Sequence, residues 1–299
     1  MTPNHKQIND LTLEKVKEAV TSQMGPDAIE VSIAGDAPMD FLETLAFNYL
    51  GTVPPREKKR RVAEEAVQVK TLGRGKQLGV YLPDSDERAM GYLAGPCPNK
   101  WGVNTDGTTV ADMLRVVSGK KDERRSHPLF GHVLLLVLQE VANRRLFSVV
   151  REERRLTYDA SFQLHGFETI KGGWYQVSVT SSPSQVQEAV RACKEALSSL
   201  RGTFGIMGDS VQSAKRTMLN RFRGESLTNK FWVENLSGTQ LDCMPSKSLR
   251  CISEFEKVLA GITVQDVQLL VEALNMNEEN MTACVGITAP EPPAGMAYK

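Results

Sequence analysis

SHPLFGHVLLLVLQEVANRRLFSVVREERRLTYDASFQLHGFETIKGGWYQVSVT, residues 126–180, passes from a helical period to a strand period within one segment. Its unbroken apolar run from Val133 to Leu138 is too long for one half-buried strand and far short of the roughly 20 residues that span a bilayer, so it predicts a largely buried helix. Arg144, Arg145 and Arg151 follow in the last turns, where the helix dipole favours cations. The period then drops to two. Leu156, Tyr158, Ala160, Phe162 and Leu164 alternate with Thr157, Asp159, Ser161 and Gln163, the pattern of a strand with one face in the core. A second strand, WYQVSVTSS, returns after Gly172-Gly173. Arg151 and Tyr158 therefore flank the junction where a helix passes the chain to a sheet, a surface position at which side chains are free for chemistry.

Outward from this centre the pattern alternates between helical and strand periods. Thr12 caps a helix bearing Leu13, Val16 and Val20; AIEVSIAGD (28–36) reads as a strand, and PMDFLETLAFNYLG (38–51) as a helix stopped by Gly51 and Pro54-Pro55. The proline-flanked REKKRR at 56–61 reads as a solvated linker and domain boundary. EEAVQVKTLG, KQLGVYLP and ERAMGYLAGP then predict three strands, with a turn at Asp84-Ser85-Asp86, and Cys97–Gly119 reads as loop-rich. SSPSQVQEAVRACKEALSSLRG predicts an amphipathic helix capped by Ser182 or Ser184. A long helical region after Asp209 breaks near Gly224, residues 234–249 are turn-rich, a last helix starts at Thr263, and a strand from Met281 to Thr288 precedes a proline-rich tail.

LTLEKVKEAV (11–20) also matches ITVQDVQLLV (262–271), with Thr12 over Thr263, Val16 over Val267, Val20 over Val271 and Gly35 over Gly286 at one constant offset, although the strand alternation slips by one residue. This organisation predicts an α+β fold with a mixed sheet covered on one face by helices. Residues 1–55 form the end of a preceding α/β unit, 56–61 a linker, 62–290 the main domain and 291–299 a frayed tail.

Lys+Arg and Asp+Glu are both 36, so the charge balance advertises neither nucleic acid nor an anionic membrane. No run is long and apolar enough to insert in a membrane. Five scattered cysteines without a C-x-x-C argue for a reducing compartment and against structural zinc. Of the histidines, only His127 and His132 are neighbours, and five residues on a helix separates them by about 140°. Capping or core roles account for them, and the chain has no H-x-x-E-H or H-E-x-x-H. Gly73, Gly75 and Gly79 miss the dinucleotide spacing and read as a turn.

Arg151 and Tyr158 have ordinary structural explanations: a dipole-favoured cation, and a tyrosine on the apolar side of its strand. The functional alternative is a pair of hydrogen-bond donors to a carbonyl oxygen that turns negative in a tetrahedral intermediate. A guanidinium and a phenol do not activate water at neutral pH, so such a pair assists a site completed elsewhere.

RRLFSVVREERRLTYDASFQL resembles the non-catalytic half of the pitrilysin/insulinase-like zinc metallopeptidases, in which an R-x-x-x-x-x-x-Y element follows a helix. PDSDERAMGYLAGPCPNKWG, GGWYQVSVTSSP and RACKEALSSL are similar to the plastid branch of that family. The resemblance implies two clam-like halves enclosing a chamber, with zinc held by H-x-x-E-H and a distal glutamate in the other half. In this half Arg151 orients the substrate backbone and Tyr158 bonds the scissile carbonyl. It implies no metal or cofactor in this chain, a zinc-bearing half and extended precursor peptides as partners, and the plastid stroma as the location. The alternative is an inactive peptide-binding or assembly subunit of a processing peptidase. Both readings predict that the purified chain, with or without added zinc, does not cleave a fluorogenic presequence peptide; zinc-dependent cleavage by the chain alone contradicts both.

Overall fold

The computed structural model describes residues 4–23, 29–53, 75–202, 205–237 and 249–291. In chain order they form α1 (His5–Asn9), α2 (Leu13–Gln23), α3 (Met39–Leu45), β1 (Gln77–Pro83), β2 (Arg88–Cys97), α4 (Val110–Ser118), α5 (Phe130–Leu146), β3 (Asp159–Gly166), β4 (Gly173–Ser181), α6 (Val186–Ser198), α7 (Gly208–Glu225), α8 (Asn229–Leu236), α9 (Arg250–Ser253), α10 (Phe255–Gly261), α11 (Val264–Leu274) and β5 (Thr282–Ala289). Wider π-helical turns extend α3 over Ala46–Leu50 and α5 over Phe147–Glu153.

The strands make one mixed sheet in the order β1-β5-β2-β4-β3, and only β1 and β5 run parallel. Alternation along each strand separates two faces. Ala89 and Leu93 of β2, Tyr175, Val177 and Val179 of β4, and Ala283, Val285 and Ile287 of β5 are buried beneath the helices. Tyr92, Gln176, Ser178 and Cys284, from the intervening positions, are only half-buried on the opposite face. The helices sit tightly on the first face. A Cβ at Gly91 would stand 2.2 Å from Val190 Cγ2 on α6, and one at Gly95 would stand 2.2 Å from the Tyr175 hydroxyl oxygen. Side chains at these two positions of β2 are therefore excluded by close approach.

Helix α5 is enclosed by its neighbours, which is why its sequence lacks a polar stripe over 133–138: Val133, Leu134, Val137 and Leu138 are wholly inaccessible. It also covers the free edge of β3. Asn143 Nδ2 donates to the Phe162 carbonyl (3.0 Å), the Phe162 N–H donates to Asn143 Oδ1 (2.7 Å), and the Leu164 N–H donates to Gln139 Oε1 (3.3 Å). Side chains of the helix thus satisfy edge groups that an open strand would present to a foreign chain.

A buried ion pair joins the start of this helical layer to its end. Asp266, wholly buried in the first turn of α11, lies 2.9 Å from Arg125 Nη2 and accepts from Arg125 Nε at 3.0 Å. The same carboxylate accepts the Thr263 N–H (3.0 Å) and hydroxyl (2.7 Å), while the Asp266 N–H donates to Thr263 Oγ1, a reciprocal N-cap.

Most predicted elements are present, with three corrections and one addition. The 28–36 strand is absent: described residues 29–36 belong to no sheet, and Ile29, Val31 and Ile33 are exposed. The loop-rich 97–119 stretch also holds an unpredicted helix: Thr109 and Asp112 form a capping box that starts α4, and Gly119 ends it at φ +65°. Dense turn residues just upstream obscure that box. Neither Ser182 nor Ser184 caps α6 through its side chain; the Ser182 carbonyl instead accepts the N–H groups of Gln185 and Val186, both at 3.0 Å. Tyr158 precedes β3 rather than lying on the strand's apolar side. The 56–61 linker, the 64–73 strand, most of the turn-rich passage and the tail from 292 onward lie outside the described residues.

Asp266→Asn leaves Arg125 buried against a neutral amide, and is expected to cost about 3–5 kcal/mol, the loss typical of a broken buried pair. Urea unfolding at neutral pH measures it, and an unchanged midpoint contradicts the role given to the pair.

Candidate substrate-contact site

The junction between α5 and β3 carries five arginines; Arg155 is exposed with φ +55°, and the other four have different fates. Arg144 donates to Thr217 Oγ1 (2.7 Å), Arg145 to the Gly205 carbonyl (2.5 Å), and Arg154 is paired with Glu195 and lies 3.6 Å from Glu188, both on α6. Those three hold helices together. Arg151 is different: it is exposed, its guanidinium stacks 4.8 Å from the centroid of the Phe147 ring, and it has no carboxylate partner among the described residues. A π-helical turn is the local cause, since it rotates Arg151 away from the register that a continued α-helix would impose.

Tyr158 owes its position to the residues just before it. The Leu156 N–H donates to the Val150 carbonyl (3.1 Å), Ser181 Oγ donates to the Leu156 carbonyl (2.8 Å), and the buried Thr157 hydroxyl lies against the carbonyls of Asp159 and Thr180. The backbone is thus fastened to the end of β4. The side chain is not: Tyr158 is 92% exposed, and its hydroxyl meets no described partner. Alternation predicts a core-facing ring here, but β3 begins only at Asp159, so its register does not extend to Tyr158. Both predicted residues lie in the connection from α5 to β3 and are open to solvent, with neither engaged in the core.

The uncovered face of the sheet extends away from this junction. Asp159, Ser161, Gln163 and His165 of β3 stand opposite Thr180, Ser178, Gln176 and Trp174 of β4, giving a surface rich in uncharged hydrogen-bonding groups. Ser161 and Ser178 are bonded across the strands at 2.9 Å, and His165 stacks on Trp174 with centroids 5.3 Å apart. The period-two polar residues of β3 are the sequence signal for this face, which a reading for secondary structure alone passes over. A separate cavity of about 340 Å³ lies in the helical layer, lined in part by Trp101, His132, Phe222, Phe231 and Phe255, and includes neither Arg151 nor Tyr158.

The zinc expected of the family does not fit the donors described here. His127 Nε2 bonds Glu254 (2.9 Å) and its Nδ1 accepts the Leu129 N–H (3.2 Å); Arg250, with His127 behind it, holds the Glu254 carboxyl below the usual range. His132 Nδ1 bonds the Lys100 carbonyl (2.8 Å), and burial depresses this imidazole to about 4. Burial also pushes the Cys193 thiol up to about 12 and the Cys97 thiol higher still, which opposes the thiolate a metal requires. No group of three or more His, Cys, Asp or Glu among the described residues is placed to hold a metal ion.

Residues 10–218 match the family model for the peptidase M16 inactive domain. The chloroplastic stromal processing peptidase of Oryza sativa subsp. indica is 37% identical over 307 residues, covering 97% of this chain and 24% of that protein. The chain thus spans about a quarter of the length of the curated relatives it matches. A peptidase M16 inactive domain from Pseudomonas fluorescens superposes with a TM-score of 0.61 at 14% identity, over 99% of this chain and 61% of that one. The ferredoxin protease FusC, in complex with Arabidopsis ferredoxin, gives 0.57 at 15% identity over 97% of this chain and 28% of that one.

Proposed function

The chain belongs to the M16 peptidases through their inactive domain, and on that premise we propose that it is the substrate-enclosing, non-metal half of a zinc endopeptidase. Its substrates are precursor proteins imported into the plastid stroma, from which the assembled enzyme removes transit peptides. Support comes from the likeness to stromal processing peptidases along nearly all of this chain. The observation that carries the chemistry is the exposure of Tyr158 on a backbone fixed by Leu156 and Thr157. An exposed phenol held at a defined place donates without the entropic cost of first ordering its backbone.

The two residues divide the work. The Arg151 guanidinium presents a planar set of donors suited to orienting carbonyls of an extended peptide. The Tyr158 hydroxyl donates to the scissile carbonyl oxygen, a bond that strengthens as the oxygen becomes negative in the tetrahedral intermediate. Activation of water and polarisation of the same carbonyl belong to the zinc-bearing half, and no step of that chemistry passes through residues of this chain. The sheet face, on which Asp159 is the one charged residue among those named, is suited to chamber wall, because a peptide lying on it meets hydrogen-bonding groups and few fixed charges.

In the assembled enzyme Tyr158→Phe is expected to lower kcat by about 10²–10³ with KM little changed, the signature of a donor whose bond matters in the transition state. Steady-state kinetics on a presequence peptide, with circular dichroism to establish the fold, provide the check. Wild-type turnover from a folded variant removes Tyr158 from the mechanism.

A further inference from the structure

Helix α8 has no buried residue and is held to the helical layer by an aromatic cluster. Phe231 meets Phe222 of α7 edge-on with centroids 5.6 Å apart, and Phe222 stacks on Phe255 of α10 at 4.4 Å. The cavity of about 340 Å³ lies among these rings, Leu136 and Gln139 of α5, and the Trp101–His132 pair, whose centroids are 5.3 Å apart. That volume falls in the range of ligand sites.

The described lining carries four carboxylates, Glu140, Glu168, Glu225 and Glu234, against two cations, Lys100 and Arg221. Both cations are engaged within the wall, Arg221 at 2.8 Å from Glu140 and Lys100 on Glu168. Glu234 has Lys230 at 3.8 Å, an exposed pair within one helix that contributes little. Glu225 has no cationic partner among the described residues, and it is the last residue of α7, where the helix dipole adds to the negative field. His132 contributes no charge, because burial keeps it neutral at neutral pH.

An acidic rim by itself is an ordinary solvated surface. Here the aromatic wall also holds an unmet donor: Trp101 is 7% exposed, and its indole N–H has no acceptor among the described residues. Buried donors are nearly always paired, so this cavity is short of an acceptor as well as a cation. The wall already carries one cation near an aromatic ring, Lys100 Nζ lying 5.2 Å from the Trp101 centroid.

We propose that the cavity binds an arginine side chain together with a neighbouring peptide carbonyl. The methylene stem lies against Phe222 and Phe231, the planar guanidinium goes to the carboxylates of Glu225 and Glu234, and the carbonyl accepts from Trp101. The arginine is one borne on a precursor peptide, a source that rests on the functional reading above, since transit peptides are rich in arginine and poor in acidic residues. The cavity contains neither Arg151 nor Tyr158, so it holds the precursor without acting on the scissile bond.

Calorimetric titration of the 299-residue chain with a short serine-rich peptide bearing one arginine, and with the same peptide bearing uncharged citrulline in its place, tests this. The arginine peptide is expected to bind saturably and at least about tenfold more tightly. Glu225→Gln combined with Glu234→Gln, both on exposed positions, abolishes that preference, whereas Glu43→Gln, exposed on α3, keeps it. In a ¹⁵N-labelled chain the Trp101 indole resonance, assigned by its loss in Trp101→Phe, shifts on binding while that of Trp174 on the sheet face stays. Absence of binding, equal binding of the two peptides, an undiminished preference in the double variant, or a stationary Trp101 resonance each overturns the site. Binding of acetyl-arginine amide with exclusion of the peptide overturns the precursor as its source. The titration needs no zinc-bearing half, so its failure leaves the role of Tyr158 standing, and wild-type turnover by Tyr158→Phe sinks only the catalytic assignment.

Discussion

The enclosure of α5 is the constraint on which the architecture depends. A helix whose residues 133–138 are all apolar has no face for water, so it must be covered by sheet on one side and helices on the others. The sheet supplies β3; α6, α7, α10 and α11 complete the cover. The cost of removing that helix from water is offset only if its polar side chains find partners, and Asn143 and Gln139 find them on the free edge of β3. One helix therefore buries the core and protects the sheet edge.

The same constraint makes the site. A buried helix has to release its chain to the surface, and it does so through a π-helical turn that leaves Arg151 in solvent. The chain is then fastened again by Thr157 and Leu156 against the end of β4. Tyr158 lies between that fastening and the first ladder residue, Asp159, so its backbone is fixed and its ring is free. The position is set by packing, and the exposure by the gap between two kinds of order.

The range of the forces involved decides how much of this is legible in the sequence. The helix at 130–146, the β3–β4 hairpin, the Thr263 cap and the break near Gly224 are written in local periodicity and capping chemistry, and the structure has all of them. Helix α4 is legible too, through its T-x-x-D box, but lies behind a run of turn residues. Two features are not legible. The burial of Asp266 with Arg125 joins residues far apart in the chain, so no local pattern announces it. Whether 28–36 becomes a strand depends on a neighbouring sheet, and alternation specifies only readiness to join one. The pairing of Arg151 with Tyr158 is what the family resemblance implies and is proposed on that ground; chemistry alone favours a core tyrosine, and the ring's exposure removes that reading.

The central claim is that the exposed phenol at the exit of α5 faces substrate in the assembled peptidase. The most direct measurement replaces it with a photoreactive side chain, Tyr158→p-benzoylphenylalanine, and maps the cross-link formed on illumination with a bound, uncleaved precursor peptide. The account predicts a cross-link to peptide residues beside the scissile bond, lost when unlabelled peptide competes. A cross-link confined to this chain's own helices, or one unaffected by competitor, contradicts it.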